Sequence, residues 1–313
     1  MINVQNKKYL LPNSIDEAVD MFHCHESAKY IAGGTDCVLN FKQKNTVAEV
    51  WIDITKIRDL NDICVGRDSI SIGSCVKLSD IVKHKELYDY LPILRDAAKK
   101  IATPVIRMNA TVGGNLLCEN RCIFYNQSEW WRNAIGRCLK CEGDVCIATG
   151  GKKNCFSKNS SDMAPALLVC DAEIDIIGKG KNKRMKLVEL YTGDGIRPFN
   201  INAGDLITCI HLPVVRRRYF YFKLRQRESI DFSSMTIAAS YDMEKKILKV
   251  AVGGCDPAPV LWEFGVDEKF DFDTIRQRVK KIRIVDNDYY PREYRKAYLL
   301  QRLEEICKAV KQS

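Results

Sequence analysis

Six cysteines, Cys118, Cys122, Cys138, Cys141, Cys146 and Cys155, crowd one stretch of the chain just after the glycine turn Thr111-Val112-Gly113-Gly114-Asn115. Thiols at that density cross-link, bind zinc, hold an iron–sulfur cluster or only fill space. A disulfide framework belongs to small secreted domains, and no charged and apolar leader precedes Tyr9-Leu10-Leu11, so the chain reads as cytoplasmic and reduced. A structural zinc site uses two close pairs of cysteines, and only Cys138-Leu139-Lys140-Cys141 supplies such a pair. An iron–sulfur cluster needs four thiolates from a loop able to wrap it, and it tolerates long, irregular spacings. Spacing alone favours the cluster and leaves zinc and a metal-free loop open. Phe124, Tyr125, Trp130 and Trp131 lie among the cysteines and are expected to screen a cluster from water. Most of the other eight of the 14 cysteines sit in apolar runs such as Leu168-Val169-Cys170, where a thiol is core filler.

Paired glycines offer a second chemistry. The strand Lys29-Tyr30-Ile31 runs directly into Ala32-Gly33-Gly34-Thr35-Asp36. Adjacent glycines let a backbone approach a ligand and turn successive amides toward one anion. The GxGxxG pattern of a nicotinamide site is missing. The second turn, Thr111 to Asn115, is expected to converge with the first on the two phosphates of one dinucleotide. Each turn would supply amides and a hydroxyl, from Thr35 and Thr111. Asp162, in Ser161-Asp162-Met163-Ala164-Pro165-Ala166, either caps a helix or accepts a hydrogen bond from a ribose or adenine. His23, His25 and His84 read as surface residues and His211 as part of a strand, so no histidine-based metal or nucleophile site is expected.

These groups must be positioned by regular elements. Ser14 and Glu17 have capping-box spacing ahead of a helix with Ile15, Ala18, Val19 and Phe22 on its apolar face. Strands are expected at 50–54, 69–72, 173–177 and 206–210. Helices are expected from Ser79 to His84 and from Pro92, the latter carrying Leu94, Ala97, Ala98 and Ile101. From Tyr219 the pattern changes to three strands in a row, 219–225, 235–241 and 247–252, which implies an antiparallel meander. Two helices follow, one capped near Asp273 and a long one from Pro291 with Tyr294, Ala297, Tyr298, Leu303 and Ile306 inward. A boundary near Arg216 divides 1–215 from 216–313, with the cysteine loop inserted at about 118–158.

A chain of 313 residues, 46% hydrophobic and 28% charged, is an ordinary globular composition with room for two cores. The net charge of +9 concentrates at Arg216-Arg217-Arg218 and in the run 179–186, which read as solvated surface and not as a nucleic-acid groove. No apolar run approaches the roughly 20 residues that cross a bilayer, so a soluble protein is expected.

Taken together, the two glycine turns and the Ser161–Ala166 segment resemble the FAD-binding subunit of the xanthine dehydrogenase and carbon monoxide dehydrogenase molybdenum enzymes, over nearly the whole chain. Most members pass from the second glycine turn to the aspartate-bearing helix without a cysteine loop. Here the insertion, through Arg121-Cys122, the run from Phe124 to Arg132, Cys138-Leu139-Lys140, Gly143-Asp144 and Cys146, is similar to that of 4-hydroxybenzoyl-CoA reductase β subunits. The resemblance implies an α+β protein of the vanillyl-alcohol-oxidase-like (PCMH) flavin fold, with two mixed α/β subdomains cradling FAD and a C-terminal domain of antiparallel strands and helices. It implies FAD contacts at Lys29, Tyr30, Ile31, Ala32, Gly33, Gly34, Thr35 and Asp36, at Thr111, Val112, Gly113, Gly114 and Asn115, and at Asp162, Ile101, Leu206 and Lys223. It also implies a [4Fe–4S] cluster on Cys122, Cys138, Cys146 and Cys155, leaving Cys118 and Cys141 as spares.

The partners implied are a small [2Fe–2S] subunit and a large molybdenum cofactor subunit, in a dimer of heterotrimers, with a ferredoxin-like electron donor and neither nucleic acid nor membrane. Electrons would pass from donor to cluster, FAD, [2Fe–2S] and molybdenum, where an aromatic thioester loses its ring hydroxyl. No catalytic residue is expected on this chain. Two alternatives stand beside this: the same relay run outward from a purine or N-heterocycle hydroxylase, and a zinc-stabilised, non-redox binding module.

Overall fold

The computed structural model describes residues 7–267 and 270–312. Near the N-terminus, β1 (Lys8–Leu10), β2 (Ala28–Ile31) and β3 (Val50–Asp53) form a parallel sheet in the order β1-β3-β2. Parallel neighbours require crossovers, and α1 (Ile15–Cys24) and α2 (Cys37–Lys42) supply them. The Ser14 hydroxyl accepts the Glu17 amide at 3.1 Å, while the Glu17 carboxylate accepts the Asn13 amide at 2.6 Å, so the box closes one residue before the cap. Ala18 then packs with Val50, Ile52 and Ile54 in the first core.

The middle sheet is antiparallel, ordered β4 (Ile63–Val65), β5 (Ser69–Gly73), β8 (Leu206–Pro213), β6 (Glu173–Gly178) and β7 (Lys181–Lys186). Strand β6 alternates, with Ile174 and Ile176 buried, as a sheet with one covered face requires. Its cover includes α3 (Leu78–Lys83), α4 (Lys85–Tyr90), α5 (Pro92–Lys99) and α9 (Met163–Leu168). Between α5 and α9 the chain forms the short helices α6 (Pro104–Arg107), α7 (Val112–Leu116) and α8 (Glu129–Ala134). The basic run 179–186 is the exposed edge strand β7, where lysines oppose strand addition from another chain.

The third sheet is antiparallel, in the order β12-β11-β10-β9: β9 (Arg218–Leu224), β10 (Met235–Asp242), β11 (Ile247–Gly253) and β12 (Val260–Gly265). Helices α10 (Phe272–Lys281) and α11 (Arg292–Lys311) complete the described chain. Every residue of β10 is buried, because the sheet is covered on both faces. Tyr221, Ala238 and Ala251 enter the central core, while Ile237, Ala239 and Val250 pack with Leu299, Leu303 and Ile306 of α11. The core is therefore continuous across residue 216.

Several elements differ from the sequence reading. Helix α3 begins at Leu78 with Lys77 at its N-cap position and no side-chain cap, and His84 caps α4, its Nδ1 accepting the Leu87 amide at 3.1 Å. The strand β12 extends the meander. Helix α11 buries Leu303 and Ile306 as expected, together with Arg295 and Leu299, whereas Ala297 is exposed and Tyr294 is exposed and stacks on Tyr290 at 5.0 Å. Among the described residues no helix is long and apolar enough to cross a membrane.

Candidate functional site

The first glycine turn packs closely on the backbone that leads into the second, and the second packs on Ser74. A Cβ on Gly33 would lie 1.9 Å from the Asn109 carbonyl oxygen, and one on Gly113 would lie 2.7 Å from the Ser74 Cβ. Gly34 has φ +68°, the left-handed region that side chains rarely occupy. These contacts draw both turns to one side of a cavity of about 430 Å³, within the rough 300–1,000 Å³ range of small-molecule sites.

Tyr30, Ala32, Gly33, Gly34, Thr35, Asp36, Ile101, Thr111, Gly113, Gly114, Asn115, Asp162 and Leu206 all line this cavity. Four expected contacts do not. Lys29 is exposed on β2, the Ile31 side chain would lie 3.5 Å from a Cβ on Gly34, Val112 is buried in the core, and Lys223 pairs with Asp162.

The turns differ in what they offer an anion. No hydrogen bond runs from the amides of Gly33, Gly34, Thr35 or Asp36 to an acceptor among the described residues. At the second turn four of the five amides are spent. Val112 donates to the Val76 carbonyl, Gly113 to the Ser74 carbonyl, Gly114 to the Thr111 hydroxyl and Asn115 to the Thr111 carbonyl, all within 3.1 Å. The expectation that both turns present amides is corrected accordingly. The first turn holds free donors, and the second contributes a close glycine surface and the Thr111 hydroxyl proton. Ser74, which the sequence did not single out, lines the same cavity with its buried hydroxyl lacking any hydrogen-bond partner. The Cys75 thiol beside it is a weak donor, directed at the Ile54 carbonyl at 3.7 Å. An orphaned buried hydroxyl and four free amides in the lining of one cavity suit a phosphate-bearing ligand, and Ile54, Ile101, Ile106 and Leu206 supply an apolar wall.

The Asp162 carboxylate accepts Lys223 Nζ at 2.7 Å on one oxygen and the Thr236 hydroxyl at 3.0 Å on the other. Ser161, one residue earlier, caps α9 by accepting the Ala164 amide at 3.0 Å. The Asn115 side-chain oxygen accepts the Ser161 hydroxyl (2.9 Å) and the Met163 amide (3.1 Å), which fixes the second turn to α9. Asp162 thereby joins the glycine turns to β9 and β10 of the third sheet.

Asp36 makes the other join. Its carboxylate pairs with Arg121 and accepts the Glu119 amide at 3.0 Å and Asn40 Nδ2 at 3.1 Å. Glu119 and Arg121 open the cysteine loop, so the first glycine turn and the loop share one anchor. The Arg121 guanidinium also covers the Phe232 ring at 4.2 Å, and Phe232 lines the cavity with Ile230, a β-branched residue at φ +72°. Sequence reasoning missed Ile230–Phe232, because only the turn between β9 and β10 brings them there.

Inside the loop, Cys122, Cys138, Cys146 and Cys155 surround one small closed pocket together with Phe124, Tyr125, Leu139, Lys140 and Ser157. Cys141 lies outside it, its sulfur 3.7 Å from that of Cys138. Cys118 instead lines the cavity of the glycine turns. Burial pushes the Cys122 thiol up to about 11 and raises Cys138 and Cys155 as well, so a metal must displace protons there. Among the described residues no three His, Cys, Asp or Glu side chains are grouped so as to hold a metal ion. The expected aromatic screen is corrected in part: Phe124 and Tyr125 line the pocket, whereas Trp130 is 77% exposed.

Residues 3–215 match the FAD binding domain in molybdopterin dehydrogenase. The chain is 29% identical over 243 residues to the aldehyde oxidoreductase FAD-binding subunit PaoB of Escherichia coli, covering 74% of this chain and 76% of that protein. It is 20% identical over 316 residues to the glyceraldehyde dehydrogenase medium chain of Sulfolobus acidocaldarius, covering 96% and 98%. Its fold is similar to that of a chain of Cu,Mo-CO dehydrogenase, with a TM-score of 0.76, 21% identity and coverage of 97% and 98%.

Proposed function

We infer the function from one premise: this chain belongs to the family of FAD-binding domains in molybdopterin dehydrogenases, and it is an oxidoreductase subunit. On this reading, residues 1–215 carry the flavin and 216–313 close over it. The free amides of Gly33–Asp36 and the Ser74 hydroxyl would hold the FAD pyrophosphate, with Thr111 and the Gly113–Gly114 surface lining the same cavity. FAD, when bound, supplies a carrier that holds two electrons and can exchange them one at a time.

The proposed specialisation is a relay with a [4Fe–4S] cluster on Cys122, Cys138, Cys146 and Cys155. One observation carries it: these four thiols, and neither Cys118 nor Cys141, line a single pocket. A single zinc ion would need its ligand sulfurs all about 2.3 Å from one centre. A cluster distributes its ligands over four irons. Phe124, Tyr125 and Leu139 would exclude water, and the Asp36–Arg121 pair would hold the two sites in register.

The cysteine loop favours membership of a 4-hydroxybenzoyl-CoA reductase type of complex. A ferredoxin-like donor would feed the loop, and small [2Fe–2S] and large molybdenum cofactor subunits would take electrons onward to the substrate. The medium chains named among the relatives support such partners. The second reading runs the relay outward from a hydroxylase, and it is favoured by relatives named for xanthine and nicotinate dehydrogenases.

The deciding experiment is anaerobic purification of the complex, with flavin, iron and acid-labile sulfide analysis and assays on 4-hydroxybenzoyl-CoA, purines and nicotinate. About four irons on this chain with aryl-CoA reduction supports the first reading. Iron with purine or nicotinate turnover alone supports the second, and zinc without iron removes the cluster.

A further inference from the structure

Lys140 is a buried lysine at the edge of the four-cysteine pocket, its side chain 5% exposed. Its ammonium lies 4.9 Å from the centre of the Tyr125 ring. It donates to the Asn120 carbonyl at 3.3 Å and the Ser157 hydroxyl at 3.4 Å, and it pairs with the Glu119 carboxylate. The Ser157 hydroxyl and amide each lie 3.4 Å from the Cys155 sulfur. A cation thus contacts the hydroxyl that contacts a sulfur of the pocket, and a carboxylate sits on the far side of that cation.

Resting on the reading that the pocket holds an iron–sulfur cluster, we propose that Lys140, acting through Ser157, raises the potential at which the cluster accepts an electron, and that Glu119 holds this effect in check. One-electron reduction by an external low-potential donor oxidises the donor and adds one negative charge within the ring of thiolates. A fixed positive charge nearby stabilises the added charge, more so where water is excluded. Hydrogen bonds to the sulfurs act in the same direction. Glu119 opposes it by partly cancelling the ammonium. Its amide also donates to Asp36 at 3.0 Å, so the same segment that balances Lys140 reaches the cavity of the glycine turns. Lys140 is therefore a positioning residue: it touches neither FAD nor substrate in this scheme and sets the driving force of the step before the flavin.

The test is a redox titration of the anaerobically purified complex with dithionite and mediators, followed by electron paramagnetic resonance of the reduced cluster. In Lys140→Met the reduced-to-oxidised ratio at the wild-type midpoint is expected to fall about tenfold, a shift of about 59 mV for one electron. Ser157→Ala should shift the same way by less, Lys140→Arg should stay near wild type, and Glu119→Gln should shift the opposite way. Opposite signs from Lys140 and Glu119 cannot come from general loosening of the loop. Shifts of the same sign in those two variants would overturn the proposal, as would iron loss in both Lys140 variants. A wild-type complex without iron would defeat the cluster reading and this proposal with it, whereas full iron and an unmoved midpoint in Lys140→Met would defeat this proposal alone.

Discussion

Asp36, the last residue of the first glycine turn, forms an ion pair with Arg121, the residue before Cys122, across 85 positions of sequence. The pair places the start of the cysteine loop beside the cavity of the glycine turns. Both partners are largely buried, so removing one leaves a poorly solvated charge.

Arg121→Leu should therefore weaken FAD binding, because the Asp36 carboxylate would face the ligand's phosphates uncompensated. A loss of about tenfold, roughly 1.4 kcal/mol, is expected in a flavin fluorescence titration. Unchanged affinity would show that Asp36 does not influence the phosphates.

Gly33→Ala tests the contact of the first turn with the backbone that leads into the second. With the Asn109 carbonyl 1.9 Å from the new Cβ, one of the backbones must move. The variant should lose about 3 kcal/mol in urea unfolding and be purified with little flavin. Wild-type flavin content would mean that the turns do not need this approach.

Lys223→Met removes the partner of Asp162, whose side chain is 4% exposed against 1% for the lysine. Stability should fall by about 3–5 kcal/mol, since an uncompensated carboxylate remains inside. Adding Asp162→Asn to Lys223→Met should recover much of this loss, and a double variant no better than the single one would count against the ion pair.

The cysteines separate by position. Cys146→Ser should lose iron and keep FAD, whereas Cys141→Ser should keep both, because Cys141 lies outside the pocket. Iron and flavin analysis decides it, and iron loss in the Cys141 variant alone would require a different ligand set.

Lys158 and Asp288 form a buried pair that ties the end of the loop to the segment before α11, with Ser234 donating to the same carboxylate at 2.6 Å. Burial alone would raise the Asp288 carboxyl, but the charge and hydrogen bond of Lys158 and the Ser234 hydroxyl outweigh it and hold the group below its ordinary 3.8. A carboxyl lowered in the folded state stabilises fully above its unfolded value, and that contribution is lost as pH falls through the lower folded value. Asp288→Asn should cost about 3 kcal/mol at pH 7. The gap to wild type should narrow below about pH 4 in thermal unfolding scans, and a pH-independent gap would contradict the assignment.

Much of the site was legible along the chain because its signals are local. Gly33 and Gly34 mark a turn wherever they occur, Ser14 announces α1, and the crowding of Cys122, Cys138, Cys146 and Cys155 is visible without coordinates. Other features depend on partners far away. Nothing near Ser74 indicates that its hydroxyl will stand unpaired beside Gly113, and nothing near Tyr294 shows that α11 turns that ring outward and buries Arg295 instead.

The sequence by itself determined the elements, the paired glycine turns and the supply of thiols, since capping, backbone freedom and side-chain chemistry act over a few residues. Only the tertiary structure decided how these are used. It left the amides of the first turn free while the second turn spent those of Val112 to Asn115, and it paired Asp162 with Lys223 and Thr236. It also placed Lys140 beside the sulfur-lined pocket. The physical reason is that a buried polar group takes whichever partner packing brings within about 3 Å, and that partner is chosen by the whole fold.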